Sequence, residues 1–287
     1  MLAQRVITAA VGIPIIIGLT LLGGIVYALV AAAILAVAAL EYYAATDPAG
    51  LGLGPQATGG GKTGLATGPA RFIRQRLPAL LGAVAAGALA IAAREGFDEL
   101  TGVLALGVTV IFVPLIVRGE PEEGLRDWAW AVPGVAYIGF LGAHLVLLRE
   151  LDDGGKWVFL VLLGTWSTDT FSYFAGRAFG RHHPVPGISP GKTDEGFIAG
   201  HAGGFASIMV LDVALDLPMS TMEAAVLGLL FPAAAMIGDL AESIIKRGAH
   251  IKDTSELVPG HGGFLDRLDS ILFTAPLVYY FVIWAVY

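Results

Sequence analysis

The chain has 287 residues, of which 56% are hydrophobic and only 14% are charged. A soluble domain normally carries about a quarter charged residues, so a water-soluble globule is excluded and an integral membrane protein is predicted. The net charge of −7 is less informative than the placement of the charges, and the absence of cysteine excludes disulfides, thiolate metal sites and a cysteine nucleophile.

Hydropathy predicts an all-α, polytopic membrane protein with about nine transmembrane helices. A spanning helix needs about 20 mostly apolar residues. Nine stretches qualify or nearly qualify: 6–22, 25–43, 78–93, 100–117, 128–148, 157–176, 197–216, 222–245 and 270–287. The third is short, and the sixth and eighth contain acidic residues. The first two are expected to turn at Gly23-Gly24, and Glu41 is expected at the membrane–water interface.

The distribution of Lys and Arg predicts the orientation of these helices. With the N-terminus inside and the C-terminus outside, only Arg94, Arg149 and Lys156 face outward, which leaves 14 of the 17 basic residues in the cytoplasm. This bias is what the positive-inside rule requires.

Charge content divides the chain near residue 150. Residues 1–150 are predicted to form N-terminal transmembrane helices with a Gly-rich cytoplasmic linker at about 46–77, and 151–287 a catalytic region. Within the linker, Gly61-Lys62-Thr63 resembles a phosphate loop, but position 56 is Gln where that motif needs glycine, so a flexible linker is favoured. Ionisable groups inside membrane helices begin after residue 157 and are candidates for function.

The first polar segment, "TWSTDTFSYFAGRAFGR" (165–181), places a polar stripe on one helix face. The stripe ends in Arg177 and comprises Thr165, Asp169, Ser172, Tyr173 and Gly176. A helix–helix contact made by small and hydroxyl residues is the alternative. It explains Ser172 and Gly176 well, but not Asp169.

The second polar segment is "GISPGKTDEGF" (187–197), where proline and glycine prevent a regular helix. Ser189, Lys192 and Thr193 offer hydrogen-bond donors, and Lys192 is interpreted as a phosphate partner. Asp194 and Glu195 are interpreted as caps of the following helix, since negative charge is favourable at a helix N-terminus.

The third segment, residues 238–270, combines a charged helix with a Gly-rich turn. Asp239, Glu242, Ser243 and Lys246 fall on one face of the eighth helix. After Arg247 the chain passes Lys252-Asp253 and reaches Pro259–Gly263, where glycines let main-chain N–H groups approach an anion. His261 is either a substrate contact or a loop brace. Asp266 and Asp269 follow on a new helical turn, with Arg267 between them.

Oxygen ligands without cysteine suggest a hard cation such as Mg²⁺, and interleaved Lys and Arg suggest a phosphate anion. Together they are typical of phosphoryl or nucleotidyl transfer. An interfacial salt-bridge network is the structural alternative, although such a network does not require the glycines.

The run from Ser243 to Asp269 resembles the signature of the phosphatidate cytidylyltransferase (CDP-diacylglycerol synthase) family. Its matching residues are Lys246-Arg247, Lys252-Asp253, Pro259, His261-Gly262-Gly263, Asp266-Arg267 and Asp269. "SPGKTDEG" resembles the Ser-Pro-Lys-Lys-Thr-x-Glu-Gly segment of that family, with Gly191 in place of a lysine, and "DTFSYFAGRAFG" resembles its polar helix. Val258 replaces a larger aliphatic residue.

The resemblance implies that CTP and phosphatidate react with Mg²⁺ to give CDP-diacylglycerol and pyrophosphate. It implies that Asp239 and Asp266 ligate the metal and that neighbouring Lys and Arg, with Lys246 and Arg267 as catalytic candidates, hold the phosphates. The remaining substrate-binding candidates are Asp169, Arg177, Ser189, Lys192, Thr193, Arg247, Lys252, Asp253, His261, Gly262, Gly263 and Asp269. A homodimer in the inner membrane with a cytoplasmic active site is also implied, and no nucleic-acid partner is expected.

Two other functions fit parts of the pattern. A secondary transporter would also have intramembrane carboxylates, but in paired repeats near the middle of the bilayer. A CTP-dependent lipid kinase of the polyprenol type would need a base for an alcohol nucleophile, and it lacks the Ser243–Asp269 pattern. The Asp-Gly-x-x-Ala-Arg motif of CDP-alcohol phosphotransferases is absent from the sequence.

Overall fold

The computed structural model of the chain describes the backbone of residues 2–47, 69–258, 260 and 262–287. Side chains are described for all of these except residues 2–7, 9 and 69–75. Most of the predicted Gly-rich linker, including Gly61-Lys62-Thr63, lies outside the described residues, and so does the substrate-binding candidate His261.

Helices dominate the described residues, among which the only β pairing is an isolated bridge between Val258 and Gly262. Two short π-helical segments, Gly134–Phe140 and Val282–Val286, continue neighbouring helices. The α-helices are α1 (Leu2–Leu22), α2 (Gly24–Thr46), α3 (Pro69–Ala93), α4 (Phe97–Val110), α5 (Phe112–Arg118), α6 (Pro121–Pro133), α7 (Leu141–Glu150), α8 (Gly154–Phe179), α9 (Asp194–Leu215), α10 (Thr221–Gly248), α11 (Leu265–Leu268) and α12 (Ile271–Phe281).

Each predicted apolar stretch lies, to within one residue at either end, in one helix or in helices that directly follow one another. The predicted all-α membrane fold is therefore confirmed. Among the described residues, seven helical runs are long and apolar enough to cross a membrane. They include the short third stretch and the acidic eighth one. They do not include α8, which carries the polar stripe, or α1, whose apolar part Ala10–Leu22 is shorter. The count of nine spans and their orientation stay predictions.

The predicted turn between the first two helices is confirmed. Helix α1 ends at Leu22 and α2 begins at Gly24, and both Gly23 and Gly24 have positive φ, at 61° and 55°. Such a backbone conformation strains residues with a Cβ, so two glycines allow the chain to turn here.

The chain folds into two compact units. The first comprises Met1–Val146 and Gly248–Arg267, and the second comprises Leu147–Arg247 and Leu268–Tyr287. The first boundary between the units, between Val146 and Leu147, lies close to residue 150, where the charge content of the sequence changes. Residues 248–267 nevertheless belong to the unit of the N-terminal helices, although they follow the charged helix α10 directly in sequence.

In the first unit, α2 packs along α3, and the side chain of Tyr43 is central to its core. The Tyr43 hydroxyl donates a 2.6 Å hydrogen bond to the main-chain oxygen of Ala131. A Cβ at Gly82 or at Gly134 would overlap this hydroxyl, so both glycines make room for the ring. A buried phenol thus has its hydrogen bond satisfied.

In the second unit, α8 packs closely along α9 because glycines line the contact. A Cβ at Gly204 would lie 2.5 Å from Thr168 Oγ1, and one at Gly200 would lie 2.8 Å from Ser172 Cβ. Small residues of this kind allow membrane helices to approach at backbone distance. The contact holds the polar face of α8 at a fixed distance from the start of α9.

Candidate active site

The predicted site residues are divided between the two units. Asp169, Arg177, Ser189, Lys192, Thr193, Asp239, Lys246, Arg247 and Asp269 lie in the second unit. Lys252, Asp253, Gly262, Gly263, Asp266 and Arg267 lie in the first. Lys252, Asp253 and Arg267 have exposed side chains, whereas Asp266 is buried.

In the second unit, an ion pair joins Lys192 to Asp239. Lys192 lies in the loop before α9, and Asp239 lies in the second half of α10, so the contact links the second and third polar segments of the sequence. Both side chains keep some exposure, at 27% for Lys192 and 20% for Asp239. A predicted phosphate partner and a predicted metal ligand are therefore adjacent.

More carboxylates lie near this pair. A Cβ at Gly238 would lie 2.6 Å from the main-chain oxygen of Asp269, so this glycine lets α10 approach the turn before α12. As a result, the Asp269 carboxylate is close enough to be repelled by the carboxylates of Asp239 and Asp169 and attracted by the ammonium group of Lys246. The structure thus gathers acidic groups from α8, α10 and the turn in one unit, with lysines beside them.

The last turns of α10 carry two further basic candidates. Lys246 is 2.5 Å from Glu242, which is one helical turn earlier and almost completely buried, at 1% exposed. A buried carboxylate of this kind is costly unless it is paired, and Lys246 supplies the opposite charge. Arg247 is exposed, and its Nε donates a 3.2 Å hydrogen bond to the main-chain oxygen of Ile188.

The capping of α9 differs from the prediction. The buried Thr193 is the N-cap residue, because its Oγ1 accepts a 3.1 Å hydrogen bond from the Gly196 N–H. Asp194 and Glu195 do lie in the first turn, where their charge is favourable. The Glu195 carboxylate, however, accepts the Arg181 N–H at 3.0 Å and lies 2.7 Å from His182 Nδ1, so it fastens the preceding loop.

The polar stripe of α8 divides between a contact with α9 and the surroundings of Asp269. Ser172 and Gly176 face α9, where a Cβ at Gly196 would lie 2.9 Å from the Ser172 main-chain oxygen. Asp169 is exposed and interacts with Asp269 instead. At the end of the stripe, Arg177 donates a 3.0 Å hydrogen bond to the Tyr173 hydroxyl.

In the first unit, the signature loop (residues 249–264, between α10 and α11) is held together by Asp266. Its Oδ2 accepts hydrogen bonds from Thr254 N and Thr254 Oγ1, both at 3.0 Å, and from Gly263 N at 2.7 Å. The Val258 N–H also donates to the Gly262 oxygen at 2.8 Å. The predicted metal ligand Asp266, in α11, therefore also holds together the signature loop that precedes it.

Sequence reasoning missed one residue of this loop's surroundings, Glu41. It was expected at the membrane–water interface, but the structure buries it to 4% exposure. Its Oε1 accepts Ser255 Oγ at 2.6 Å and Phe264 N at 3.1 Å, and its Oε2 accepts Leu265 N at 2.8 Å. An acidic residue in an otherwise uncharged helix was the only available signal.

The acidic side chains around Asp239 form a donor set that suits a magnesium ion. Among the described residues, no three acidic or histidine side chains are arranged as a metal site. Mg²⁺ in phosphate-transferring enzymes commonly takes one or two carboxylates and completes its shell with water and substrate phosphates. The carboxylates near Asp239 have this chemistry, and the adjacent lysines suit phosphate oxygens.

Comparison with known proteins gives consistent matches. The cytidylyltransferase family matches residues 65–285. The phosphatidate cytidylyltransferase of Synechocystis sp. is 32% identical over 309 aligned positions, which cover 98% of this chain and 96% of that protein. The phosphatidate cytidylyltransferase of Bacillus subtilis is 30% identical, covering 71% of this chain and 78% of its own. The uncharacterized protein YnbB of Escherichia coli is 34% identical over 63% of this chain and 62% of its own length.

Proposed function

Since this chain belongs to the cytidylyltransferase family, we propose that it transfers the CMP group of CTP to phosphatidate, giving CDP-diacylglycerol and pyrophosphate. A phosphate oxygen of phosphatidate attacks the α-phosphorus of CTP and forms the new P–O bond. The bond from the α-phosphorus to the bridging oxygen breaks, and pyrophosphate leaves with the bonding electrons. A phosphate monoester is nucleophilic near neutral pH, so no strong general base is needed.

The ion pair between Lys192 and Asp239 is the observation that best supports this function. Both substrates are polyanions, so they approach each other only where their charge is neutralised. Lys192 supplies positive charge at a polar loop, and Asp239 supplies an acidic ligand on a membrane helix beside it. In the proposed function, the ion pair opens when substrate binds. Lys192 then binds phosphate oxygens of CTP, and Asp239 binds a cation.

The metal in this proposal is Mg²⁺, held by Asp239 and Asp266 as the family resemblance implies. When bound, it would neutralise phosphate charge and stabilise the leaving pyrophosphate. Lys192, Lys246 and Arg267 would bind and orient the phosphates. Because Asp266 also braces the signature loop, a change at Asp239 tests the metal more directly than one at Asp266.

The location and assembly are also part of the proposal. We place the protein in the cytoplasmic (inner) membrane as a homodimer, with the active site facing the cytoplasm, where CTP is available. The positive-inside bias supports this orientation, since 14 of the 17 Lys and Arg residues lie in the segments assigned to the cytoplasm. The homodimer rests on the family resemblance and is tested by chemical crosslinking in native membranes.

A liponucleotide assay with a metal-ligand variant tests the function. Purified protein with labelled CTP and phosphatidate should form CDP-diacylglycerol and pyrophosphate, and EDTA should stop the reaction until Mg²⁺ is restored. Asp239→Asn should lower kcat at least about 100-fold, since it removes the charge that faces the cation. The matched control is Asp216→Asn, which makes the same substitution at the residue that follows the C-terminal end of α9. There φ is 51°, a backbone conformation that asparagine tolerates well.

The same assay separates the alternatives. A CTP-dependent lipid kinase would release CDP rather than pyrophosphate, and a transporter would form neither product. Wild-type turnover by Asp239→Asn would remove this residue from the metal site. The absence of CDP-diacylglycerol with the wild-type protein would overturn the function itself.

A further inference from the structure

In the N-terminal helices, the carboxylate of Glu41 in α2 reaches the signature loop. We propose that Glu41 is a positioning residue for CMP transfer: it fixes the main chain of the signature loop in its working geometry without touching the substrates. The inference rests on the proposed function for its kinetic consequence. Its structural part depends only on contacts within the first unit.

The Glu41 carboxylate is a buried acid surrounded by hydrogen-bond donors. Glu41 is 4% exposed, and an ionised carboxylate at such a position is very costly unless several donors surround it. Three donors do so, at 2.6 to 3.1 Å: the Ser255 hydroxyl and the main-chain N–H groups of Phe264 and Leu265. Hydrogen bonds to a charged acceptor are stronger than neutral ones, so this carboxylate stabilises one loop conformation.

The donors to Glu41 come from both sides of the signature loop. Ser255 is on the outgoing side of the signature loop, and Phe264 and Leu265 are on the returning side. Asp266 joins the same two sides from within, through Thr254 and Gly263. Two carboxylates therefore hold both sides of the loop, and Glu41 ties those sides to another helix, α2.

The signature loop leaves no space for a side chain next to the Glu41 carboxylate. A Cβ at Gly263 would lie 2.6 Å from Glu41 Oε2 and would overlap Thr254 Oγ1. The loop backbone thus lies directly against the Glu41 carboxylate, at a residue whose N–H donates to Asp266. A glutamine at position 41 keeps the size, but it presents an amide N–H₂ to main-chain donors and loses one acceptor.

The experiment combines kinetics with hydrogen exchange on the full-length protein in nanodiscs. Glu41→Gln should raise deuterium uptake in peptides covering 254–268, because the amides of Phe264 and Leu265 lose their acceptor. It should lower kcat about tenfold or more and change the KM for CTP less than threefold. An interaction that orders the site for the transition state acts on kcat in this way.

The matched control is Tyr43→Phe, two residues along the same helix. It also removes a buried hydrogen bond, but one made to Ala131 and not to the signature loop. We expect it to lower the thermal midpoint while kcat and the uptake of peptides 254–268 stay at wild-type values. A purely structural role for Glu41 would instead give both variants the same kinetic effect.

A milder variant keeps the test decisive if Glu41→Gln does not fold. Ser255→Ala removes one donor and leaves the carboxylate with its two main-chain partners, so uptake of peptides 254–268 and kcat should change in the same directions but less. Unchanged uptake in the folded variants overturns the positioning role, and so does unchanged kcat. Failure of the wild-type protein to make CDP-diacylglycerol would overturn the proposed function and, with it, the kinetic part of this inference. The uptake measurement does not depend on turnover and tests the structural part by itself.

Discussion

Two adjacent glycines, Gly262 and Gly263, show how little room the signature loop leaves for side chains. Gly262 has φ at 82°, and a Cβ there would lie 2.6 Å from Asp266 Oδ2. Gly263 donates its N–H to the same oxygen and lies against Glu41. The sequence suggested that these glycines expose main-chain N–H groups to an anion. In the structure, the anion that receives the Gly263 N–H is the protein's own Asp266.

Gly263→Ala should therefore destabilise the loop. The added methyl would overlap Thr254 Oγ1 and crowd Glu41, and such overpacking costs about 1–3 kcal/mol. The thermal midpoint should fall, and proteolysis within 249–264 should become faster. Gly248→Ala is the control, because a Cβ there meets nothing within 4 Å, and its effect should stay within about 0.5 kcal/mol. Equal midpoints for the two variants would contradict the packing described here.

At the scale of single elements, periodicity predicted the helices well and their partners poorly. The stripe from Thr165 to Gly176 was correctly placed on one face of α8, because helical spacing is a local property. Its division between a glycine contact with α9 and the carboxylates near Asp239 depends on where α9 and α10 lie. Likewise, Thr193 rather than the neighbouring acids caps α9, since its Oγ1 reaches the Gly196 N–H.

The loop before α9 offers a gain-of-function prediction. Gly191 stands where the related segment has a lysine, and a Cβ there meets nothing within 4 Å, so a longer side chain has room. Gly191→Lys should place a second cation beside Lys192 and lower the KM for CTP about threefold, with a larger effect at low salt.

The control is Gly187→Lys, which adds the same charge to the same loop, also with no atom within 4 Å of the new Cβ. It should change the KM for CTP much less. If both variants lower the KM equally, the effect is one of net charge and not of the position next to Lys192.

At the scale of the whole molecule, the orientation in the membrane is open to a direct measurement. The chain has no cysteine, so single cysteines can be introduced without removing any. Gly187→Cys lies in the loop before α9, and Asp152→Cys lies between α7 and α8, both at exposed positions. In intact cells, a membrane-impermeant maleimide should label Asp152→Cys, and it should label Gly187→Cys only after the membrane is opened. The reverse pattern would place the active site outside.

The sequence anticipated the helices, the charged motifs and the family, because these depend on composition and on residues near one another in the chain. It did not anticipate Glu41, whose partners lie 214 to 224 residues away. A lone glutamate at the end of an apolar helix looks the same whether it contacts lipid head groups or a distant loop. The pairing of Lys192 with Asp239 was hidden for the same reason, since hydropathy does not specify which helix ends meet.

The membership of residues 248–267 in the first unit has a practical consequence for dissecting this protein. A fragment starting at residue 151 would retain the entire family signature, from the polar stripe of α8 to Asp269. It would nevertheless lack α2, and the main-chain amides of Phe264 and Leu265 would lose the acceptor that Glu41 provides. Co-expression of the two halves, rather than the motif-bearing half alone, is therefore the minimal route to a working split protein.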